Sequence, residues 1–179
     1  MGREVKNFSL SIIASGLDVN AADSFERLFE AGCDDATISV QKGLFVIDFD
    51  RDANSFKEAL ISAIHDVKRA GARIERIEPD YLVNASDIAS RMGATRAAVS
   101  LYASGKRGRC FPAPVARVTT DSPLWDWVEV SEWLVQEKKL SQEAVEEAHL
   151  IREMNRVIAR SHMQLSEADR KLEAELARL

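Results

Sequence analysis

Asp48, Asp50 and Asp52 fall at every second position of the run Leu44-Phe-Val-Ile-Asp-Phe-Asp-Arg-Asp52. Alternate residues of a strand point to one side, so at least the first two carboxylates share a face. Paired aspartates on a sheet can hold a divalent cation for phosphoryl transfer, but that chemistry needs more than acids. The run before them supplies Ser9, Ser11 and Ser15 and no carboxylate. No glycine-rich phosphate loop, no Lys-Ser/Thr pair and no nearby histidine base accompanies them. Asp34-Asp35 has the setting of a loop. His65, His149 and His162 share no ligand spacing with each other or with Cys33 or Cys110, and the two cysteines form no framework or zinc pattern. The expectation is a chain that is not an enzyme, with no metal and no cofactor. The aspartates then form a solvated strand edge that discourages sheet-to-sheet association.

The second chemical feature is cationic. Residues 81–120 hold Arg91, Arg96, Lys106, Arg107, Arg109 and Arg117 against the single acid Asp87, a net charge of +5. The flanking segments 1–80 and 121–179 each carry −5, and the chain as a whole −5. A basic island between acidic flanks is the footprint of a surface that meets phosphates, and double-stranded DNA is the leading partner. The island coincides with two short helical patterns. Asn84 can cap the first, with Asp87 at the third position inward and Ile88, Ala89 and Met92 at helical spacing. Gly93 ends it. Thr95 can cap the second, which carries Ala97, Ala98, Val99, Leu101 and Tyr102. Two helices around a short glycine-containing turn predict a helix-turn-helix. Any helical hairpin in a small core would share these caps, so the charge decides between the readings.

The stretch Ser104-Gly-Lys-Arg-Gly-Arg-Cys-Phe-Pro-Ala-Pro114 follows directly. Two glycines and three bases suit phosphate contact beside a recognition helix. Residues 115–119 and 124–128 have strand character around the turn Thr120-Asp-Ser-Pro123, which predicts a hairpin wing. Trp125 and Trp127 then share one face of the second strand, and Trp133 lies on the next helix. Core packing is the first reading for all three, with base stacking the minor one. Direct contact with DNA is expected from Thr95, Arg96, Ser100 and Tyr102 on the second helix. Lys106, Arg107 and Arg109 should meet phosphates, with Arg117 and Thr119 on the wing.

In order, the elements Ser-Asp-Ile-Ala-x-Arg-Met-Gly, Thr-Arg-x-Ala-Val-Ser, Gly-Lys-Arg-Gly, Phe-Pro-x-Pro, Leu-Trp-x-Trp and Val-x-x-Trp-Leu resemble bacterial winged helix-turn-helix DNA-binding proteins. The nearest type is the small MerR- and AlpA-like regulators, over residues 82–135. The resemblance implies a second helix lying in a major groove and a wing on the adjacent backbone. The effector-binding C-terminal domain of such regulators has no counterpart in this chain.

The remaining elements must carry this segment. Residues 8–12 alternate with Phe8, Leu10 and Ile12 on one face. A helical stripe of Phe25, Leu28 and Phe29 follows, and residues 36–40 and 44–49 form a hairpin about Lys42-Gly43. Asn54 or Ser55 caps a helix with Phe56, Leu60, Ala63, Ile64 and Val67 inside, and residues 72–77 make a last strand. The order βαββαβ predicts a ferredoxin-like domain over 1–80 in an α+β chain, followed by the winged helix-turn-helix domain over 81–140. Residues 141–179 read as one long helix, or as two if Ser166 and Asp169 cap a second. Leu150, Met154, Val157, Ser161, Leu165, Ala168, Leu172, Leu176 and Leu179 lie about 3.6 residues apart, a continuous stripe that requires a partner. Pairing of two copies is favoured, because readers of paired half-sites act as dimers. Docking on a partner protein or folding back on the body are the alternatives.

Composition agrees with a soluble globular protein: 46% apolar, 30% charged, 179 residues. No run approaches the ~18 apolar residues of a membrane span, and the first residues lack the apolar core of a signal peptide. A cytoplasmic location is expected. The combined reading is a bacterial transcriptional regulator that binds double-stranded DNA by sequence. The rival is a non-catalytic adaptor of a phage-defence, toxin–antitoxin or retron-type complex, gripping a partner protein or structured nucleic acid.

Overall fold

A computed structural model describes residues 5–162 and 175. The chain is mixed α+β, with six helices and a four-stranded antiparallel sheet among the described residues. Strands β1 (Lys6–Ser15), β2 (Ala36–Gln41), β3 (Leu44–Ala53) and β4 (Arg73–Glu78) lie in the order β2-β3-β1-β4. Helix α1 (Ala22–Glu30) joins β1 to β2, and α2 (Phe56–Arg69) joins β3 to β4. Lys42 and Gly43 both have positive φ, 52° and 80°, the primed two-residue turn that matches strand twist. Ser55 accepts the Glu58 amide at 3.2 Å and so caps α2. The alternation expected from the sequence places Leu10, Ile12 and Ala14 of β1 and Phe45, Ile47 and Phe49 of β3 on the inner face. There they meet Leu28, Leu60, Ala63 and Val67 from α1 and α2. Each of the large side chains buried here contributes about 1.5–3 kcal/mol.

The three aspartates lie elsewhere than expected. β3 is an interior strand, so they form no edge. Asp48, Asp50 and Asp52 stand on the open face of the sheet, opposite Ser11, Ser9 and Asn7 of β1. Ser9 Oγ donates to Asp50 at 2.8 Å, Asn7 Nδ2 to Asp52 at 3.0 Å, and Ser11 Oγ to Asp48. Asp35 binds Arg51, whose buried guanidinium also reaches Asp66 and the Gly32 carbonyl.

A second core follows. β5 (Leu82–Val83) pairs with β6 (Trp125–Asp126), and α3 (Ala85–Arg91), α4 (Arg96–Ala103) and α5 (Trp127–Gln136) pack around Val83, Ile88, Val99, Trp125, Val128 and Leu134. The expected strand over 124–128 is corrected. Only Trp125 and Asp126 are extended, because the Asp126 carboxylate caps α5 by accepting the Val128 amide at 2.9 Å. Trp125 and Trp127 therefore share no strand face. The expected hairpin shrinks to one bridge, Ala116 with Leu124, closed by a turn in which Thr120 N–H donates to the Arg117 carbonyl.

Helix α6 (Gln142–His162) seals both cores. Ala148 belongs to the second, while Ile151 and Ile158 belong to the first. Its buried stripe is Val145, Ala148, Ile151, Asn155 and Ile158. The expected stripe ran through Leu150, Met154 and Val157, and the last of these is 51% exposed. Over 142–162 the buried face thus packs on α5 and β4 of the same chain. The leucine spacing hid this because Leu150 and Met154 do touch the core, from its margin. Leu165, Ala168, Leu172, Leu176 and Leu179, and the Ser166–Asp169 cap, lie outside the described residues. No helix among the described residues is long and apolar enough to cross a membrane.

Candidate nucleic-acid interface

The interface is built from the turn outward. Asn84 Oδ1 accepts the amides of Ser86 and Asp87, and the Asp87 carboxylate accepts the Asn84 amide at 2.8 Å. This reciprocal cap starts α3, and the expected Gly93 (φ 62°) ends it. Thr95 Oγ1 accepts the Ala98 amide at 3.2 Å and starts α4, with only four residues between the two helices. Val99 and Tyr102 then face the core, which leaves Arg96, Ala97, Ser100 and Leu101 outward.

Thr95, Arg96, Ser100, Lys106, Arg107, Arg109, Arg117 and Thr119 are all exposed. Ser100 Oγ turns back to the Arg96 carbonyl at 3.0 Å, so its hydroxyl is partly occupied within the helix. Tyr102 is a correction: it is 4% exposed and belongs to the core. Its ring packs edge-on to Trp133 at 5.0 Å, and its hydroxyl accepts from Lys139 Nζ at 2.7 Å. An amphipathic ring at helical spacing from Val99 is drawn inward by the apolar area it buries. It supports the outer residues rather than reaching a ligand.

Of the six bases in the island, Arg91 is half-buried and turned toward the body. Its guanidinium lies over the Trp127 ring at 4.9 Å and donates to the Asp80 carbonyl at 2.6 Å. Burial lowers its pKa, though a guanidinium stays charged. The other five, Arg96, Lys106, Arg107, Arg109 and Arg117, form no ion pair with the described residues.

Three of those five sit on the 104–110 loop, which the aromatic core holds in place. Trp133 Nε1 donates to the Arg109 carbonyl at 2.8 Å, and Trp125 Nε1 to the Pro112 carbonyl at 3.0 Å. The Arg107 amide donates to the Leu101 carbonyl at 3.0 Å, and its guanidinium lies over the Tyr102 ring at 5.4 Å. Phe111 packs against Trp133 at 5.0 Å. Gly108 (φ 72°) lies so close that a Cβ there would stand 2.9 Å from Trp133 Cζ2. The backbone is pinned inward while the cationic side chains point out. This role of the tryptophans was not drawn from the sequence, although a buried indole N–H demands an acceptor. Lys139 also escaped notice; it lies over the Tyr102 and Trp133 rings. Among the described residues no group of three or more His, Cys, Asp or Glu side chains could hold a metal ion.

Comparison of the chain with protein-family models, curated proteins and solved structures finds no match.

Proposed function

We propose that this chain binds double-stranded DNA through the outer face of α4 and the 104–110 loop. The observation that carries the reading is the set of five exposed bases that form no ion pair with the described residues, three of them on a loop whose Arg109 carbonyl is held by the Trp133 indole. Exposed cations without such partners are available to phosphates. On this reading residues 81–140 act as a winged helix-turn-helix of the MerR- and AlpA-like type, with its wing reduced to the turn around Arg117 and Thr119. The α4 face carrying Arg96 lies toward the base edges, with Ser100 beside it. The βαββαβ portion, ferredoxin-like in its strand order, serves as an interaction or regulatory module. The chain then acts as a transcriptional regulator rather than an enzyme.

The test is binding of the full chain to the DNA upstream of its own gene, against scrambled duplex and RNA, over a salt series. Tight, selective binding that Arg96→Ala weakens by about 1–3 kcal/mol at one site supports the reading. Equal and feeble binding to every nucleic acid contradicts it and favours the adaptor role.

A further inference from the structure

The two edges of the four-stranded sheet are treated differently. At β4, the Asn155 side chain of α6 occupies the outward N–H and C=O of Ile77, both at 2.8 Å. At β2 no described residue does the equivalent, and the strand's ladder partner is β3 alone. Natural edges are protected by charge, proline, a bulge or shortness. β2 reads Ala-Thr-Ile-Ser-Val-Gln over six residues, with no charge and no proline.

The backbone phase of this edge is known. The Asp35 carbonyl accepts from the Asp50 amide at 3.1 Å, pointing toward β3. Alternation along an antiparallel ladder then turns Thr37, Ser39 and Gln41 to β3, and Ile38 and Val40 to the free edge. The Ala36 carbonyl also points out, while its amide turns to Cys33. These same residues, opposite Phe49, Ile47 and Phe45, carry the inner-face side chains. The apolar layer is therefore open where the backbone is open. Val40 is 39% exposed and Phe29 of α1 is 61% exposed. Between α1 and β2 lies a groove of about 420 Å³ lined by the apolar Phe25, Phe29, Ala36 and Ile38 and by Glu26 and Glu30 of α1.

We propose that the β2 edge is a self-association surface, on which a second copy of this chain adds its own β2 antiparallel about a two-fold axis at Ile38. A two-fold axis normal to the sheet places each residue opposite one on the same face, so the pairing must relate positions of equal parity. With Ile38 at the centre, Ala36 faces the second copy's Val40, and Asp34 comes opposite the second copy's Lys42. The two Ile38 residues exchange both backbone bonds, and each Val40 N–H donates to the second copy's Ala36 carbonyl. Centring on Ser39 would oppose Asp35 to Gly43 and lose the charge pair. The occupant is a second copy because the strand is complementary to itself in charge, in apolar side chains and in free backbone groups. The sheets join into one continuous sheet, and the open α1 rims cover each other. This inference is independent of DNA binding and fails or stands without it.

The test is the mass of the full chain in solution without nucleic acid, by sedimentation equilibrium at micromolar concentration. A two-chain species is expected, and Val40→Lys should raise its dissociation constant at least tenfold with an unchanged far-ultraviolet circular dichroism spectrum. Thr37 and Ser39 face each other in this register at a Cα separation of about 4.5 Å, within disulfide reach. Thr37→Cys combined with Ser39→Cys, in a Cys110→Ser background, should give oxidised, covalently linked pairs, whereas Ser39→Cys alone should not. A single-chain mass, a dimer indifferent to Val40→Lys, or efficient linkage by Ser39→Cys alone would each overturn the proposal.

Discussion

Asn155 and Ile77, 78 residues apart in the chain, are joined by two hydrogen bonds of 2.8 Å in the buried seam between α6 and β4. The carboxamide offers one acceptor and one donor in the spacing of a neighbouring strand, so the helix completes the sheet where a strand is lacking. Asn155→Leu leaves a buried amide and a buried carbonyl without partners, each costing about 1–3 kcal/mol. A drop of that order in unfolding free energy, measured by urea denaturation, is expected. Asn155→Asp keeps only the acceptor and should be little better. Unchanged stability for Asn155→Leu would show that the seam is held by Ile151 and Ile158 alone.

Arg51 plays the corresponding part within the first core. Its side chain is 9% exposed and lies 2.7 Å from both Asp35 and Asp66, which raise its pKa, Asp35 first. Arg51→Met removes the cation and strands two carboxylates. Breaking such a pair from one side costs about 3–5 kcal/mol, read as a drop in unfolding free energy by urea denaturation. An unchanged urea midpoint for Arg51→Met would contradict this account.

The two cysteines should separate cleanly. Cys33 is fully buried, and burial together with Asp66 pushes its thiol from 9.0 up to about 11. Cys110 is exposed. In the native protein at pH 8 a disulfide reagent should modify one thiol rapidly and the second only on unfolding. Because the folded pKa is raised, the Cys33 contribution to stability is complete below about pH 9 and declines as pH rises through about 11. Two equally fast thiols at pH 8 would disprove the burial of Cys33.

Gly108 links stability to the interface. Its φ of 72° and its closeness to Trp133 mean that Gly108→Ala must strain the loop or push the indole away. A cost of about 1–2 kcal/mol follows from the left-handed backbone alone. Displacing the loop should also weaken DNA binding although no charge changes. Unaltered affinity would show that the loop's position is irrelevant to binding.

Much of this was readable in advance. Period-two alternation, the Lys42-Gly43 turn, and the Ser55, Asn84 and Thr95 caps announce themselves locally, so these elements agree with expectation. Tyr102, Trp127 and α6 did not, because each is decided by distant partners. Tyr102 faces inward because Trp133, Phe111 and Lys139 surround it. Trp127 enters a helix because Asp126 caps it. The buried stripe of α6 is set by Ile77 and the two cores it touches, not by its leucines. The charge island was legible as composition, but which base is turned toward the body depended on Asp80 and Trp127 lying beside Arg91.

The most direct test of the central claim is the salt dependence of duplex binding by the full chain and by Arg107→Ala combined with Arg109→Ala. The account predicts a linear fall of log affinity with log salt, and a slope shallower by about two units in the double variant, one per lost phosphate contact. Absence of binding, or a slope unchanged by removing both bases, would contradict it.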